Sequence, residues 1–117
     1  MTTLNYTSEQ IKQIVIEAQH SAFQEAKKFI AEVYNNQDQG CCGFAWVNIY
    51  GIKGNTKLGK AMKAAGIERS DYKKCFSIWN PSEHGAQNID TKEAGALAAQ
   101  KVFEKYGFRA YAGSRLD

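Results

Sequence analysis

The sequence predicts an α+β domain of two layers, with helices packed on one face of a small sheet; a small α/β domain is the alternative. Three observations lead to this class. A long N-terminal stretch repeats apolar residues with the 3.6-residue period of an amphipathic helix. Shorter stretches further on alternate with the two-residue period of strands. Helical segments separate those strands, so the predicted order is α-β-α-β-α-β, which permits parallel pairing between the strands.

The chain is expected to form one domain over residues 1–117, because it contains no repeat, linker or low-complexity segment. No window approaches the roughly 18 apolar residues of a membrane span. The opening MTTLNYTSEQ lacks the basic and apolar regions of a signal peptide. We therefore expect a cytoplasmic protein with no membrane partner.

The first predicted helix begins at Thr7 or Ser8, with Gln10 completing a capping box with Thr7. It is expected to end within 35–40. A second apolar stripe lies about 100° round the helix from the first. That stripe is expected either to meet another copy of the protein or to lie deeper in its own monomer. The first stripe is Ile11, Ile14, Val15, Ala18, Ala22, Ala26, Phe29 and Val33, and the second is Ile16, Phe23 and Ile30.

Three strands are predicted, at CCGFAWVNIYG, at KKCFSIW (73–79) and at FRAYA near the C-terminus. Strand alternation places their side chains on opposite faces. One face has Ala45, Val47, Ile49, Phe76 and Ile78; the other has Phe44, Trp46, Asn48, Tyr50, Cys75, Ser77 and Trp79. The face with the large aromatic residues is open to three interpretations: an oligomer interface, a platform for stacked bases, or part of the core.

Two further helices are predicted between the strands. The first covers about 55–65 and ends at Gly66, and the second covers about 91–106 and ends at Gly107. Asp90 and Glu93 form a plausible capping pair for the second. The stretch NPSEHGAQNI contains the single proline of the chain and is expected to be a loop.

The stretch GNTKLGKA, residues 54–61, is close to the phosphate-binding pattern G-x-x-x-x-G-K-[ST]. It departs at Ala61, which has no hydroxyl for magnesium. The second strand also ends without the acidic residue that holds the metal in such sites. The sequence therefore predicts no nucleotide hydrolysis by this route.

The same region is strongly basic, with seven Lys or Arg against two acidic residues in 51–74, in a chain of net charge +3. A local basic region points to an anionic ligand or to a solvated surface. Lys53, Lys57 and Lys60 share one side if the helical turn extends back to Lys53, next to a cap at Asn55 or Thr56. Arg109 and Arg115 are candidates for additional, bidentate contacts to phosphate. Trp79 or Trp46 is expected to stack on a base, with Asn80, His84 and Gln87 reading its polar edges.

No catalytic or metal-binding pattern is found. His20 and His84 have no evident nucleophile partner, and the three cysteines (Cys41, Cys42 and Cys75) fit no zinc spacing. We expect free, part-buried thiols, no metal, no cofactor and no enzymatic activity.

The stretches CGFAWVNI, KEAGALAAQKVFEKYG and the terminal GSRLD resemble a family of small bacteriophage-encoded proteins. The resemblance covers about 41–117, with the doubled cysteine at 41–42 and the lysine-rich 53–63 off its pattern. It assigns no catalytic or binding residue. It implies a phage accessory protein that acts by stoichiometric binding, by analogy with proteins that sequester nucleotide immune signals between subunits.

These observations lead to one functional hypothesis and two alternatives. The first is a homo-oligomer, formed by the Ile16/Phe23/Ile30 stripe or by the Phe44/Trp46/Tyr50 face, that sequesters an anionic nucleotide in the host cytoplasm to counter host defence. The second is a nucleic-acid-binding protein that uses the same basic and aromatic residues. The third is a protein–protein inhibitor of a host enzyme.

Overall fold

The structure, a computed structural model, describes residues 4–117. It contains three helices and four strands. They are α1 (Ser8–Tyr34), β1 (Gly43–Tyr50), α2 (Lys57–Ala64), β2 (Glu68–Ser70), β3 (Cys75–Trp79), α3 (Ile89–Lys105) and β4 (Arg109–Leu116). The α+β class and the two-layer arrangement predicted from the sequence are confirmed.

The first helix begins where the capping residues predict. The Thr7 hydroxyl accepts a hydrogen bond from the Gln10 backbone N–H at 3.2 Å, and the Gln10 side chain accepts one from the Thr7 N–H at 2.8 Å. This reciprocal pair satisfies two of the backbone donors that a helix N-terminus leaves free. The helix ends at Tyr34, because Asn35 adopts a left-handed conformation with φ 52°.

The sheet is antiparallel, in the order β2-β3-β1-β4. The parallel pairing that the predicted order of elements permitted is not found between neighbouring strands. The reason is the short β2–β3 hairpin, which the sequence analysis did not predict and which places β3 beside β1. The helical crossovers β1-α2-β2 and β3-α3-β4 each pass over one intervening strand. The order β-α-β-β-α-β is that of the split β-α-β, or ferredoxin-like, arrangement, to which α1 is added.

One face of the sheet is covered by helices and forms the core. Residues Ala45, Val47, Ile49 and Phe76 are at most 1% exposed. The helix α3 lies against β1 and β4, and α1 packs along α3 through small residues. A Cβ on Gly95 would lie 2.6 Å from the Ser82 Cβ, so the close approach at this position requires glycine.

Several boundaries differ from the prediction. Helix α3 is capped by Asn88, whose side chain accepts from the Thr91 N–H at 2.8 Å, rather than by Asp90 and Glu93. Asp90 instead accepts a hydrogen bond from the Tyr34 hydroxyl. Strand β4 continues beyond FRAYA through GSRL, because the whole of β1 is available to pair with it.

The two apolar stripes of α1 are also only partly as expected. Ile30 is buried, whereas Ile16 and Phe23 are 56% and 40% exposed. The second stripe is therefore interrupted, and Ile30 is not available to a partner. Val33, assigned to the core stripe, is exposed, because it lies in the last turn of α1.

Candidate functional site

The face of the sheet opposite the helices carries large aromatic and polar side chains, and we call it the open face. It is built by alternate residues of the three longer strands. These strands contribute Phe44, Trp46, Asn48, Tyr50, Ser77, Trp79, Arg109, Tyr111, Gly113 and Arg115 to the open face. The burial of β1 alternates strictly between buried and half-buried residues, which confirms the two faces predicted for this strand.

Three of these residues form the first aromatic cluster: Phe44, Trp46 and Trp79. The two indole rings are stacked, with planes 6° apart and centroids 5.7 Å apart. Phe44 lies 5.5 Å from Trp79. Trp79 remains 56% exposed, so a large part of its ring surface is accessible. The cluster is thus a pair of parallel indole rings with Phe44 tilted by 35° beside them, and the exposed ring of Trp79 offers a surface on which a nucleobase could stack.

The position of Trp46 depends on a glycine in the neighbouring strand. Trp46 is paired with Gly113 across β1 and β4. A Cβ on Gly113 would lie 2.5 Å from the indole Nε1 and 2.7 Å from Cε2. The ring therefore lies over the Gly113 backbone, and any side chain there would displace it.

A second aromatic cluster consists of Tyr50 and Tyr111, whose ring centroids are 5.9 Å apart. Tyr111 is 53% exposed. Neither tyrosine was among the predicted ligand-binding residues, although Tyr50 was placed on this face. The alternation of Arg109 and Tyr111 with the small Ala110 and Ala112 was the sequence signal that could have identified the second cluster.

A central polar group separates the two clusters. The Ser77 hydroxyl donates to the Asn48 side-chain oxygen at 2.6 Å, and the Asn48 amide donates to the Tyr50 hydroxyl at 3.2 Å. These bonds join β1 to β3 and hold Asn48 in place. One hydrogen of the Asn48 amide and the hydroxyl hydrogen of Tyr50 are not used in these bonds.

Positive charge accompanies both clusters. The Arg115 guanidinium lies 5.5 Å from the Phe44 ring, and the Nζ of the buried Lys92 lies 5.4 Å from the same ring. Arg109 is paired with Tyr50 in the β1–β4 register. Within residues 4–117, neither Arg109 nor Arg115 forms an ion pair with a carboxylate. The acidic strand residue on the open face is Glu68, which pairs with Ser77 and lies on β2, the edge strand farthest from Arg109 and Arg115.

The predicted lysine cluster is placed elsewhere. Helix α2 begins at Lys57 and is capped by Thr56, so the helical turn does not extend back to Lys53 and the condition for Lys53, Lys57 and Lys60 to share one side of a helix is not met. The Lys53 carbonyl instead accepts from the Thr56 hydroxyl at 2.7 Å. Lys57 and Lys60 are exposed on α2, in the helix layer on the other side of the sheet from the aromatic clusters.

The loop after β3 contributes less than predicted. Asn80 directly follows Trp79, and its backbone N–H bonds to the Ala45 carbonyl at 2.9 Å. The His84 ring lies 5.6 Å from Phe23 of α1, so it faces the helix layer rather than the open face. The structure therefore brings Trp46, Trp79, Arg109 and Arg115 to one face and separates His84, Lys57 and Lys60 from it, whereas Lys53 lies in the loop after β1.

The loop that precedes α3 is held by Asp38, which the sequence analysis did not identify. Its carboxylate accepts from the Gln87 N–H at 2.7 Å and from the N–H and side-chain amide of Asn88 at 3.1 and 2.9 Å. The bonds from Asn88 and Gln87 lower the pKa of Asp38. Gln87 is thus engaged through its backbone in holding the start of α3.

A second charged cluster ties α1 to the end of α3. Glu17 accepts hydrogen bonds from Lys105 and from the Tyr106 hydroxyl. The bond from Lys105, and then that from Tyr106, lowers the pKa of Glu17, and the same bonds raise the pKa of Lys105 and of Tyr106. Every member of this cluster has a partner, so we interpret it as structural.

Two shallow grooves lie in the helix layer. One is lined by residues that include Tyr6, Ile16 and Tyr106, and the other by residues that include Phe29 and Leu97. Neither is lined by a predicted ligand-binding residue.

The cysteines are free, and Cys41 and Cys42 are exposed, whereas Cys75 is buried. Part-buried thiols were expected for all three. Residues 4–117 contain no group of His, Cys, Asp or Glu side chains arranged to hold a metal ion. No helix in that part of the chain has the length and apolar character that crossing a bilayer requires.

No protein-family model, curated protein or solved structure matches this chain.

Proposed function

We propose that the protein binds single-stranded nucleic acid on the open face of its sheet, without turning it over. One observation carries the proposal: two aromatic clusters, each with one exposed ring, share a sheet face that residues 4–117 leave uncovered, and the two arginines on that face form no ion pair with a carboxylate in this part of the chain. Aromatic rings stack on bases of any sequence, and arginine contacts the phosphates. Four-stranded sheets that present aromatic residues in this way are a recurring solution for binding single-stranded RNA, an analogy of architecture rather than of descent.

The shape of the site favours a strand over an enclosed ligand. The open face is an extended surface across three strands, whereas sites for small molecules enclose most of the ligand in a concave pocket. The base of a duplex is already stacked on both sides, so the clusters accept only unpaired bases. In a phage setting, which the sequence resemblance implies, such a protein would act in the cytoplasm of the infected cell.

The two tryptophans provide a direct test, because they are the only two in the chain and both lie on the open face. Titration of the protein with hexauridylate is expected to quench tryptophan fluorescence, and a labelled hexamer is expected to gain anisotropy. Trp79→Ala is expected to weaken binding about tenfold, since a stacked base contributes roughly 1–3 kcal/mol. A duplex of equal length should bind much more weakly.

Tyr72→Ala is the matched control, because Tyr72 is 95% exposed in the β2–β3 turn, outside the open face. It should bind as the unaltered protein does. Two phosphate contacts predict an affinity that falls about sevenfold between 50 and 200 mM salt. The absence of binding by every homopolymer in both assays would contradict the proposal. Tight binding of a free nucleotide instead would favour the sequestration hypothesis.

A further inference from the structure

The open face contains two separate places for a base rather than one. The accessible rings of the two clusters are Trp79 on β3 and Tyr111 on β4, which lie on either side of β1, opposite Trp46 and Asn48 respectively. Two strand spacings across the sheet and two residues of rise along it place the backbones of these two residues about 12 Å apart. Bases stacked directly on one another are only about 3.4 Å apart, so two adjacent stacked bases cannot occupy both clusters.

The space between the clusters is polar and has unused hydrogen-bond capacity. It contains Asn48 and Ser77, joined as described, and both are half-buried. With the amide as described, one Asn48 amide hydrogen and the Tyr50 hydroxyl hydrogen are left for a ligand. If the amide is turned over, Tyr50 donates to it and the Ser77 hydroxyl can donate to the Cys75 Sγ, 3.7 Å away, which leaves the amide hydrogen. At least one donor in this position therefore suits an acceptor atom of a base or sugar.

Each aromatic cluster has one arginine beside it. Arg115 belongs to the first cluster and Arg109 to the second, at opposite ends of β4. Each end of the face therefore combines an accessible ring with a cation that has no carboxylate partner in residues 4–117. Such a pair fits one nucleotide, with its base on the ring and its phosphate beside the guanidinium.

From this repetition we infer that the ligand is an oligonucleotide of at least three nucleotides, with one base on each aromatic cluster and the bridging nucleotide over Asn48. The inference rests on the proposed function. Once one base of a strand is bound to one cluster, another base of the same strand binds the other cluster intramolecularly. The affinity therefore rises sharply when the strand is long enough to reach both clusters. A single nucleotide occupies one cluster at a time and gains nothing from the other.

A series of uridine oligonucleotides tests this inference. Dissociation constants are measured by tryptophan quenching and by calorimetry for UMP and for strands of two, three, four and six nucleotides. A gain of at least tenfold is expected between the dinucleotide and the tetranucleotide. Tyr111→Ala should cost about tenfold for the hexamer and nothing for the dinucleotide on the first cluster. Tyr111→Phe, which keeps the ring, should match the unaltered protein.

Two results would overturn the inference while leaving the proposed function intact. One is equal affinity for UMP and the hexamer, with both lost in Trp79→Ala. The other is a hexamer affinity that is unchanged by Tyr111→Ala but reduced by Trp79→Ala. If no strand of any length binds, the proposed function fails and this inference fails with it. Circular dichroism of each variant distinguishes a lost contact from a lost fold.

Discussion

The two faces of the sheet are made by the same three strands and yet differ in burial, in residue type and in how far the rest of the protein covers them. On the helix face, alternate residues of β1 are at most 1% exposed, and they are Ala, Val and Ile. On the open face the other residues of β1 are Phe, Trp, Asn and Tyr, and all are half-buried. The helix face is filled by other parts of the chain, whereas no part of residues 4–117 covers the open face.

The difference indicates that the two faces serve separate purposes. Large apolar surfaces left uncovered usually mark a binding site. Here the aromatic rings alternate with hydrogen-bonded polar groups and are accompanied by arginine, which suits a polar, anionic, ring-bearing ligand better than a purely apolar one. Stability should therefore reside on the helix face, and binding on the open face.

Phe76→Ala is expected to give the largest effect. Phe76 is fully buried, and removal of such a ring from a core costs roughly 3–5 kcal/mol of the free energy of unfolding. Trp79→Ala, three residues along the same strand, should cost only about 1 kcal/mol, the contribution of its aromatic contacts. Urea denaturation followed by circular dichroism measures both. Equal losses would show that the open face is as important to the fold as the core.

Gly113→Ala is expected to affect the open face alone. The new methyl group must move the Trp46 ring, so hexamer affinity should fall about tenfold, with one stacked base lost. The tryptophan emission maximum should also shift. Gly85→Ala is the control, because a Cβ at Gly85 would meet no atom of residues 4–117 within 4 Å. If Gly113→Ala binds normally, the present position of Trp46 is not required.

Substitutions of two threonines on the helix side should change the free energy of unfolding in opposite directions. The hydroxyl of Thr91 is buried and has no hydrogen-bond partner among residues 4–117, so Thr91→Val should raise the free energy of unfolding by about 1 kcal/mol. The Thr7 hydroxyl caps α1, and Thr7→Val should lower it by about the same amount. Denaturant melts measure the two changes. A loss of stability in Thr91→Val would indicate that its hydroxyl has an unseen partner.

The smallest effect concerns pH and the loop before α3. Hydrogen bonds lower the pKa of Asp38 in the folded protein below its value in the unfolded chain, which is near 3.8. The ionised Asp38 therefore contributes its full stabilisation above the pKa of the unfolded chain, and this stabilisation is lost as the pH falls through the pKa of the folded protein. Thermal melts between pH 5 and pH 2 should show stability declining less steeply in Asp38→Asn than in the unaltered protein. Parallel declines would contradict the role given to Asp38.

The periodicity of single elements was enough to predict much of the fold. The cap at Thr7, the two faces of β1 and the layer of helices follow from local pattern. The β2–β3 hairpin was missed because Glu68–Ser70 is only three residues long and has no apolar alternation. The cap at Asn88 was missed because it depends on Asp38, fifty residues earlier in the chain.

The candidate site was predictable only in part, for a similar reason. Trp46 and Trp79 were identified because their residue type alone suggests stacking. Tyr111 and Gly113 gain their importance from the pairing of β4 with β1, which no local pattern specifies. The lysines of α2 were grouped with the aromatic residues by charge, yet the sheet lies between them.

The placement of Lys92 has a consequence for how the open face responds to ionic strength. This side chain is 8% exposed, donates to the Gly43 carbonyl at 2.8 Å and lies close to the Phe44 ring. Dissolved ions gather around exposed guanidinium groups, but they cannot approach a charge enclosed by protein. The attraction of Arg109 and Arg115 for a phosphate chain therefore fades as salt is added, whereas the contact of Lys92 with the Phe44 ring, inside the protein, is screened much less. The position of Phe44 in the first aromatic cluster should thus be retained in concentrated salt that weakens phosphate binding.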